Sequence, residues 1–263
     1  IDLRAVFAEL LTRWYLNLLW LIYRVRARYE QLALGLLWAA LLPILEAIVI
    51  AFAFTQLLGR SSGQDSILFV VFLLSGRIIY SLFSTIVTRG RTGFRSLLGV
   101  MSRVYFPREI TMLLTCGEAL IDFSFVFVVT LLLSAFFGIW PTIYLVMLPI
   151  PVLLMLILAL GVSFYLTWLS LVVRDVEQLT GVLLQLGFYT SVLFDIQQVS
   201  PQLRLLILLN PINAIIEAFR SVLIYGQPPS LAPTLLAGTI SCIVFFTGYI
   251  FFKAREDRFT DFQ

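Results

Sequence analysis

Histidine is absent from this chain of 263 residues, and lysine occurs once, at Lys253. Without histidine, the chain cannot form a Ser-His-Asp or Cys-His catalytic system or a histidine metal site. A phosphate-binding P-loop requires a Gly-Lys pair, whereas Lys253 follows Phe252. We therefore expect that this chain is not an enzyme and holds no cofactor. If the chain takes part in an ATP-driven process, the ATP would be hydrolysed on another chain or domain.

Charged residues are also scarce, at 13%, while 60% of residues are hydrophobic and the mean hydropathy is +1.00. Soluble domains are about one quarter charged, and disordered chains are more polar still, so both classes are excluded. The two cysteines, Cys116 and Cys242, are too few for a disulfide framework, and we expect both to be small buried side chains. The long apolar stretches do not alternate, which predicts an all-α integral membrane protein.

Six membrane spans are predicted from stretches long enough to cross about 30 Å of hydrocarbon. They cover residues 32–58, 67–88, 110–137, 143–172, 176–194 and 232–252. Residues 3–22 precede them and place apolar side chains at three-to-four spacing, opposite Arg4, Glu9, Arg13 and Asn17. This pattern predicts an amphipathic helix in the membrane interface, and a helix docked on protein is the alternative.

The distribution of Lys and Arg predicts the orientation of the chain. With both termini in the cytoplasm, 14 of the 18 Lys and Arg residues lie on the cytoplasmic side and three lie outside, while Arg77 lies within a span. This asymmetry favours a multi-pass protein with cytoplasmic ends. We treat 1–263 as one domain: an N-terminal interfacial helix and basic run (1–31), spans one to five (32–194), an outer segment (195–231), the sixth span (232–252) and a cytoplasmic tail (253–263).

The outer segment 195–231 is apolar in parts but carries Asn210, Pro211, Glu217 and Arg220. A seventh span through 205–224 would place these residues in lipid, which is costly. A re-entrant helical pair is preferred, because broken backbone is tolerated where protein or a water-filled cavity surrounds it. These four residues are the candidate gate of that pair.

Four charges fall well inside the predicted spans: Glu46, Arg77, Glu118 and Asp122. An arginine in lipid costs about 2.5–3.5 kcal/mol, so Arg77 should face protein or water and pair with one of the three acids. Glu118 and Asp122 are four residues apart and therefore share a helix face. Structural ion pairs, polar groups lining a pathway, and a proton relay all remain open.

Aromatic residues make up 14% of the chain, and many are expected to be interface anchors. Some fall within spans or at their ends, where packing is the simpler interpretation and stacking on sugar rings is the alternative. The candidates for a channel or substrate surface are Trp38, Tyr80, Phe83, Trp168, Phe188, Tyr189 and Phe194.

The loop 89–109 is basic, and Phe94, Leu97, Leu98 and Met101 share one helical stripe. Such a helix could bind anionic lipid or dock into a partner protein.

Short motifs along the chain resemble the permease subunits of polysaccharide-export ABC transporters, which move O-antigen, capsule or teichoic acid. The motifs are Arg28-Tyr29-Glu30-Gln31, Leu34-Gly35-Leu36-Leu37-Trp38 with Pro43, Val104 to Ile110 (VYFPREI), Arg174-Asp175-Val176, Leu209-Asn210-Pro211 and Glu217-Ala218-Phe219-Arg220. They occur in the family's order and cover nearly the whole chain. Arg77 after Gly76, and Phe194-Asp195 after the fifth span, depart from the pattern.

The resemblance implies a channel-forming permease of a bacterial cytoplasmic (inner) membrane that pairs with a second copy and with two ABC ATPases, which would hold ATP and Mg²⁺. A lipid-linked polysaccharide, such as an O-antigen of lipopolysaccharide, a capsule or a teichoic acid, would be the cargo. The chain itself would also contact membrane lipids, and no nucleic acid is expected as a partner. The loop 89–109 would supply the coupling helix. The residues implied in ATPase coupling are Arg91, Phe94, Arg95, Leu97, Leu98, Arg103, Pro107, Arg108 and Glu109.

Two other functions fit the same residues. One is an ABC permease for a small drug or a lipid. The other is a proton-coupled secondary transporter that uses Glu46, Glu118 and Asp122.

Overall fold

The computed structural model describes residues 14–29, 64–101, 109–173, 175–192 and 210–255, together with 37–38, 41–42, 44–46, 48–49 and 52. This part of the chain contains helices and turns and no strand, as the sequence predicts. The α-helices are α1 (Trp14–Tyr29), α2 (Gln64–Met101), α3 (Glu109–Phe136), α4 (Pro149–Val172), α5 (Val176–Val192), α6 (Pro211–Leu223) and α7 (Leu231–Lys253), and a 3₁₀ helix covers Ile143–Met147.

Four helical segments are long and apolar enough to cross a membrane. They are Phe69–Gly93, Thr111–Phe136, Ile143–Val172 and Leu231–Lys253. They agree with the predicted second, third, fourth and sixth spans. The predicted first span lies mostly outside the described residues, but its described residues between 37 and 52 are helical. The total of six spans therefore stays a prediction.

Helix α2 is longer than the span predicted at 67–88. It has 38 residues, or about 57 Å at 1.5 Å per residue, and it ends at Met101 inside the predicted loop 89–109. The helical stripe predicted from Phe94 onwards is thus a direct continuation of the span. The glycines at 90 and 93 do not end the helix, because each lies against a neighbouring side chain, Ser163 and Arg24 respectively.

Helices α5 and α6 are both short. Helix α5 has 17 residues and lies within the predicted fifth span. Helix α6 has 13 residues, about 20 Å, and begins at a defined cap in which the Asn210 side chain accepts a hydrogen bond from Ile212 N. A helix of that length is too short to cross the hydrocarbon, and the extended backbone at Asn210 marks its start. The partner helix of the predicted re-entrant pair lies outside the described residues.

Helix α1 packs on the third span. Leu21 meets Gly117, and Arg24 Nε lies 2.8 Å from Glu118 Oε1 on α3. The opposite surface of α1 stays open, since Tyr15 and Tyr23 are 59% and 73% exposed. The predicted end at residue 22 is wrong: the helix continues to Tyr29, because the arginines that follow are good helix formers. Residues 3–13 of the predicted helix lie outside the described part.

Helices α4 and α7 run parallel and approach closely at glycines. A Cβ on Gly161 would lie 2.6 Å from Phe245 N, and Gly248 faces the Gly161 carbonyl. Small residues allow such backbone contact between membrane helices. Cys116 is buried as predicted, whereas Cys242 is exposed on the outer surface of α7. The prediction that Cys242 is buried was wrong, because an apolar residue in a membrane span can face lipid as well as the protein core.

Candidate functional site

A cavity of about 630 Å³ opens between the first-span residues and helices α2 and α5. We call it the groove. Each of the three helical segments contributes one stripe of side chains at three-to-four spacing, as expected for one face of a helix. The lining residues are Leu42, Leu45, Glu46 and Val49 of the first span, Arg77, Tyr80 and Ser84 of α2, and Leu184, Gln185, Phe188 and Tyr189 of α5.

An ion pair crosses the groove. Arg77 Nε donates a hydrogen bond of 2.6 Å to Glu46 Oε2. The two side chains are 26% and 47% exposed, so the pair faces the open space rather than the core. The Arg77 guanidinium carbon also lies 5.1 Å from the centroid of the Phe188 ring. Of the three acids that the sequence offered as partners for Arg77, the structure selects Glu46.

Aromatic rings form one wall of the groove. Tyr80 is buried, donates a hydrogen bond from its hydroxyl to the Leu184 carbonyl, and packs edge-on against Phe188 at 5.7 Å between centroids. Gly187 makes this contact possible, because a Cβ there would lie 2.7 Å from the Tyr80 hydroxyl. Phe188 in turn packs against Tyr189, which is 44% exposed. Tyr80 therefore positions the wall, and Phe188 and Tyr189 offer ring surface to a ligand.

The other aromatic candidates lie elsewhere. Phe83 is buried in the main core, and Trp168 is buried in a separate cluster with Phe164, Tyr249 and Phe252. Trp38 is half-buried and does not line the groove. Phe194 lies outside the described residues. Three of the seven candidates are thus brought together.

Gln185 and Ser84 also line the groove, although the sequence did not single them out. Gln185 Nε2 lies 3.4 Å from the Tyr189 hydroxyl. A signal existed for both: Gln185 is four residues before Tyr189 and Ser84 is seven after Arg77, so each shares a helix face with a predicted site residue.

The two acids on α3 form ion pairs with other helices, and both pairs are at least partly buried. Glu118 is 1% exposed and pairs with Arg24 of α1, while Asp122 is 16% exposed and lies 2.7 Å from Arg89 Nη1 of α2. The shared helix face predicted for Glu118 and Asp122 is used for packing. For these two residues, the geometry favours structural pairs over a proton relay.

Three comparisons connect this architecture to known proteins. The O-antigen export system permease protein RfbA of Myxococcus xanthus is 25% identical over 240 residues, which cover 90% of this chain and 91% of that protein. A permease of the same name from Klebsiella pneumoniae is 27% identical over 86% of this chain and 83% of its own length. The polysialic acid transport protein KpsM of Escherichia coli is 23% identical over 89% and 90%. No family model matches the chain.

The chain is related to the polysaccharide-export permeases. The resemblance seen in its motifs is therefore confirmed over nearly its whole length.

In this permease relative, Arg91 is the one coupling candidate whose side chain is described. It is 6% exposed, and its Nη2 lies 3.4 Å from Glu177 Oε1 at the start of α5. Arg91 therefore joins two helices of its own chain. Phe94, Arg95, Leu97 and Leu98 lie on the last turns of α2, and Glu109 begins α3, with side chains outside the described part. Arg103, Pro107 and Arg108 also lie outside it.

The candidate gate residues are placed on α6. Asn210 caps the helix and Pro211 is its first residue, where its missing N–H costs nothing. Arg220 is 1% exposed and donates hydrogen bonds to the carbonyls of Val192 (2.7 Å) and Phe72 (3.3 Å). Glu217 lies 3.9 Å from Arg220, at the edge of ion-pair range.

Proposed function

We propose that this chain is the channel-forming permease subunit of an ATP-driven exporter that moves a lipid-linked polysaccharide across the cytoplasmic membrane. The observation that carries the proposal is the match to O-antigen and polysialic acid export permeases over nearly the whole chain. The multi-pass apolar helices and the groove support it.

The groove would be one half of the channel. Its open side is flanked by the exposed apolar surface of α5, on which Leu179, Val182, Leu183 and Leu186 are each more than half exposed. A second copy of the chain, packed against this surface, would close the groove into a conduit. The ring faces of Phe188 and Tyr189 would then stack on passing sugar rings, which bind through apolar C–H faces.

Helix α2 would carry the mechanical signal. It runs without a break from the groove residues Arg77 and Tyr80 to Met101, inside the predicted coupling loop 89–109. A partner ATPase, holding ATP and Mg²⁺, would push on that end, and a continuous helix transmits displacement along its length. The Arg91–Glu177 contact would pass part of the motion to α5, on the opposite wall of the groove.

The test is purification of the chain in mild detergent from its native membranes, followed by mass spectrometry of the proteins that accompany it. A stoichiometric ABC ATPase, and ATP-dependent transport of glycolipid after reconstitution, are expected. If small hydrophobic compounds stimulate the ATPase activity and glycolipid does not, a drug or lipid permease would be favoured instead. Transport without ATP that collapses with the proton gradient would favour a secondary transporter.

A further inference from the structure

The Arg77–Glu46 pair differs from the other two intramembrane pairs. Glu118 and Asp122 are 1% and 16% exposed, as expected for pairs that only hold helices together, whereas Glu46 is 47% exposed. A charge pair in a membrane span is costly, so an open one calls for a reason. A ligand that binds in the groove would explain the exposed pair, and this inference rests on the function proposed above.

Arg77 has donor capacity to spare. Among the described residues, its hydrogen bond to Glu46 uses only Nε, which leaves the two terminal nitrogens without a partner there. These nitrogens form a planar fork that matches a carboxylate or a phosphate in a bidentate manner. The Phe188 ring lies 5.1 Å from the guanidinium carbon, within cation–π range.

The rest of the groove wall suits the same ligand. The Gln185 amide and the Tyr189 hydroxyl are exposed donors on α5, the helix opposite Arg77. Among the described residues that line the groove, Glu46 is the only carboxylate. It already accepts the Nε hydrogen bond, so an arriving anion would compete with it for one guanidinium.

The depth of Arg77 in the membrane distinguishes a ligand carried by the cargo from a bilayer lipid. The apolar segment runs from Phe69 to Gly93. Along the helix axis, Arg77 lies about 12 Å from Phe69 and about 24 Å from Gly93. A phospholipid headgroup lies at the membrane surface, not at that depth. An anionic group carried through the channel would pass it.

We propose that Arg77 binds an anionic group, a phosphate or a carboxylate, of the transported glycan or its lipid carrier, and that Glu46 is the built-in counter-ion with which this group competes. Competition from Glu46 keeps the site weak. Conduction requires such weak sites, because cargo must leave as readily as it enters.

The test measures equilibrium binding to the full-length permease in nanodiscs of neutral lipid. The probes are a polyprenyl pyrophosphate, an oligosaccharide of glucuronic acid and a neutral maltooligosaccharide. Arg77→Gln should weaken binding of an anionic probe by about tenfold or more, the range for hydrogen bonds to charged groups, and leave the neutral probe unaffected. Glu46→Gln should strengthen anion binding several-fold.

The opposite signs of these two effects make the test decisive. A purely structural ion pair predicts that both substitutions act in the same direction, and that result would overturn the proposal, as would unchanged anion binding in Arg77→Gln. Arg89→Gln is the matched control, since it removes a partly exposed arginine of the same helix outside the groove and should not change binding. The anionic probe that responds identifies the source, pyrophosphate or acidic sugar.

Two further arms separate the remaining outcomes. If nanodiscs of phosphatidylglycerol abolish the probe's binding, the site belongs to bilayer lipid and the proposal is wrong. If no ATPase accompanies the chain and no glycan is transported, the exporter function fails, yet the binding measurement on the permease still reports on Arg77. Normal ATP-dependent transport with no effect of Arg77→Gln on anion binding would refute the anion site alone.

Discussion

Arg220 holds the short helix α6 against the ends of two other helices, and its removal should destabilise the protein strongly. Its guanidinium carbon lies 3.5 Å from the centroid of the Phe72 ring, and its Nη2 donates to the Phe72 and Val192 carbonyls. Val192 is the last residue of α5 in the described part of the chain, and carbonyls in the last turn of a helix lack an intrahelical partner. Arg220 therefore caps one helix, stacks on a second and belongs to a third.

The magnitude follows from these contacts. Each hydrogen bond from a charged donor is worth about 1.5–3 kcal/mol and a desolvated cation–π contact about 2 kcal/mol, offset by the cost of burying a guanidinium. We expect Arg220→Met to lower the free energy of unfolding by about 3 kcal/mol, because methionine keeps the apolar stem and loses the head group. For a chain of this size, that corresponds to a fall in Tm of about 6–12 °C.

The assay is thermal unfolding in detergent, followed by intrinsic fluorescence and by loss of monodispersity in size-exclusion chromatography. Glu217→Gln is the matched control: the 3.9 Å pair with Arg220 is long and the carboxylate is partly exposed, so its loss should cost less than about 1 kcal/mol. Arg220→Lys should fall between the two, because an ammonium group lacks the planar fork. A Tm for Arg220→Met equal to that of Glu217→Gln would refute this account of α6.

Two other predictions concern packing and coupling. Gly161→Leu should separate α4 from α7, because the new side chain would collide with Phe245 N. The variant should lose its monodisperse peak in size-exclusion chromatography. Gly181→Leu is the control and should keep the peak, because open space surrounds that glycine. An unchanged elution profile for Gly161→Leu would contradict the close approach. Phe94→Asp and Leu97→Asp should each reduce co-purification of the ATPase while the permease still folds, as measured by pull-down; normal assembly and transport would show that the coupling helix lies elsewhere.

The spans could be predicted from sequence because their signal is local. A run of apolar residues such as 111–136 must be helical in lipid, whatever it packs against. The ends of helices are harder to predict where no residue type interrupts the helix. Nothing between Gly93 and Met101 stops α2, so the boundary between span and loop cannot be read from propensity.

The groove was only partly predictable, because it depends on which helices become neighbours. The sequence marked Arg77, Tyr80, Phe188 and Tyr189 as unusual, and all four line it. The same reasoning marked Phe83, whose side chain lies three residues beyond Tyr80 but points into the core. The partner of Arg77 was equally undetermined, since three acids were available and only packing selects Glu46.

The ion pairs on α3 have a consequence for biosynthesis. Glu118 binds Arg24 and Asp122 binds Arg89, so both partners precede the third span in the chain. When this span leaves the ribosome, the arginines that neutralise its two carboxylates have already been synthesised. Each acid would otherwise raise the insertion cost by roughly 2.5–3.5 kcal/mol at the centre of the bilayer. The N-terminal third of the nascent chain can therefore receive the third span before residues 137–263 have left the ribosome.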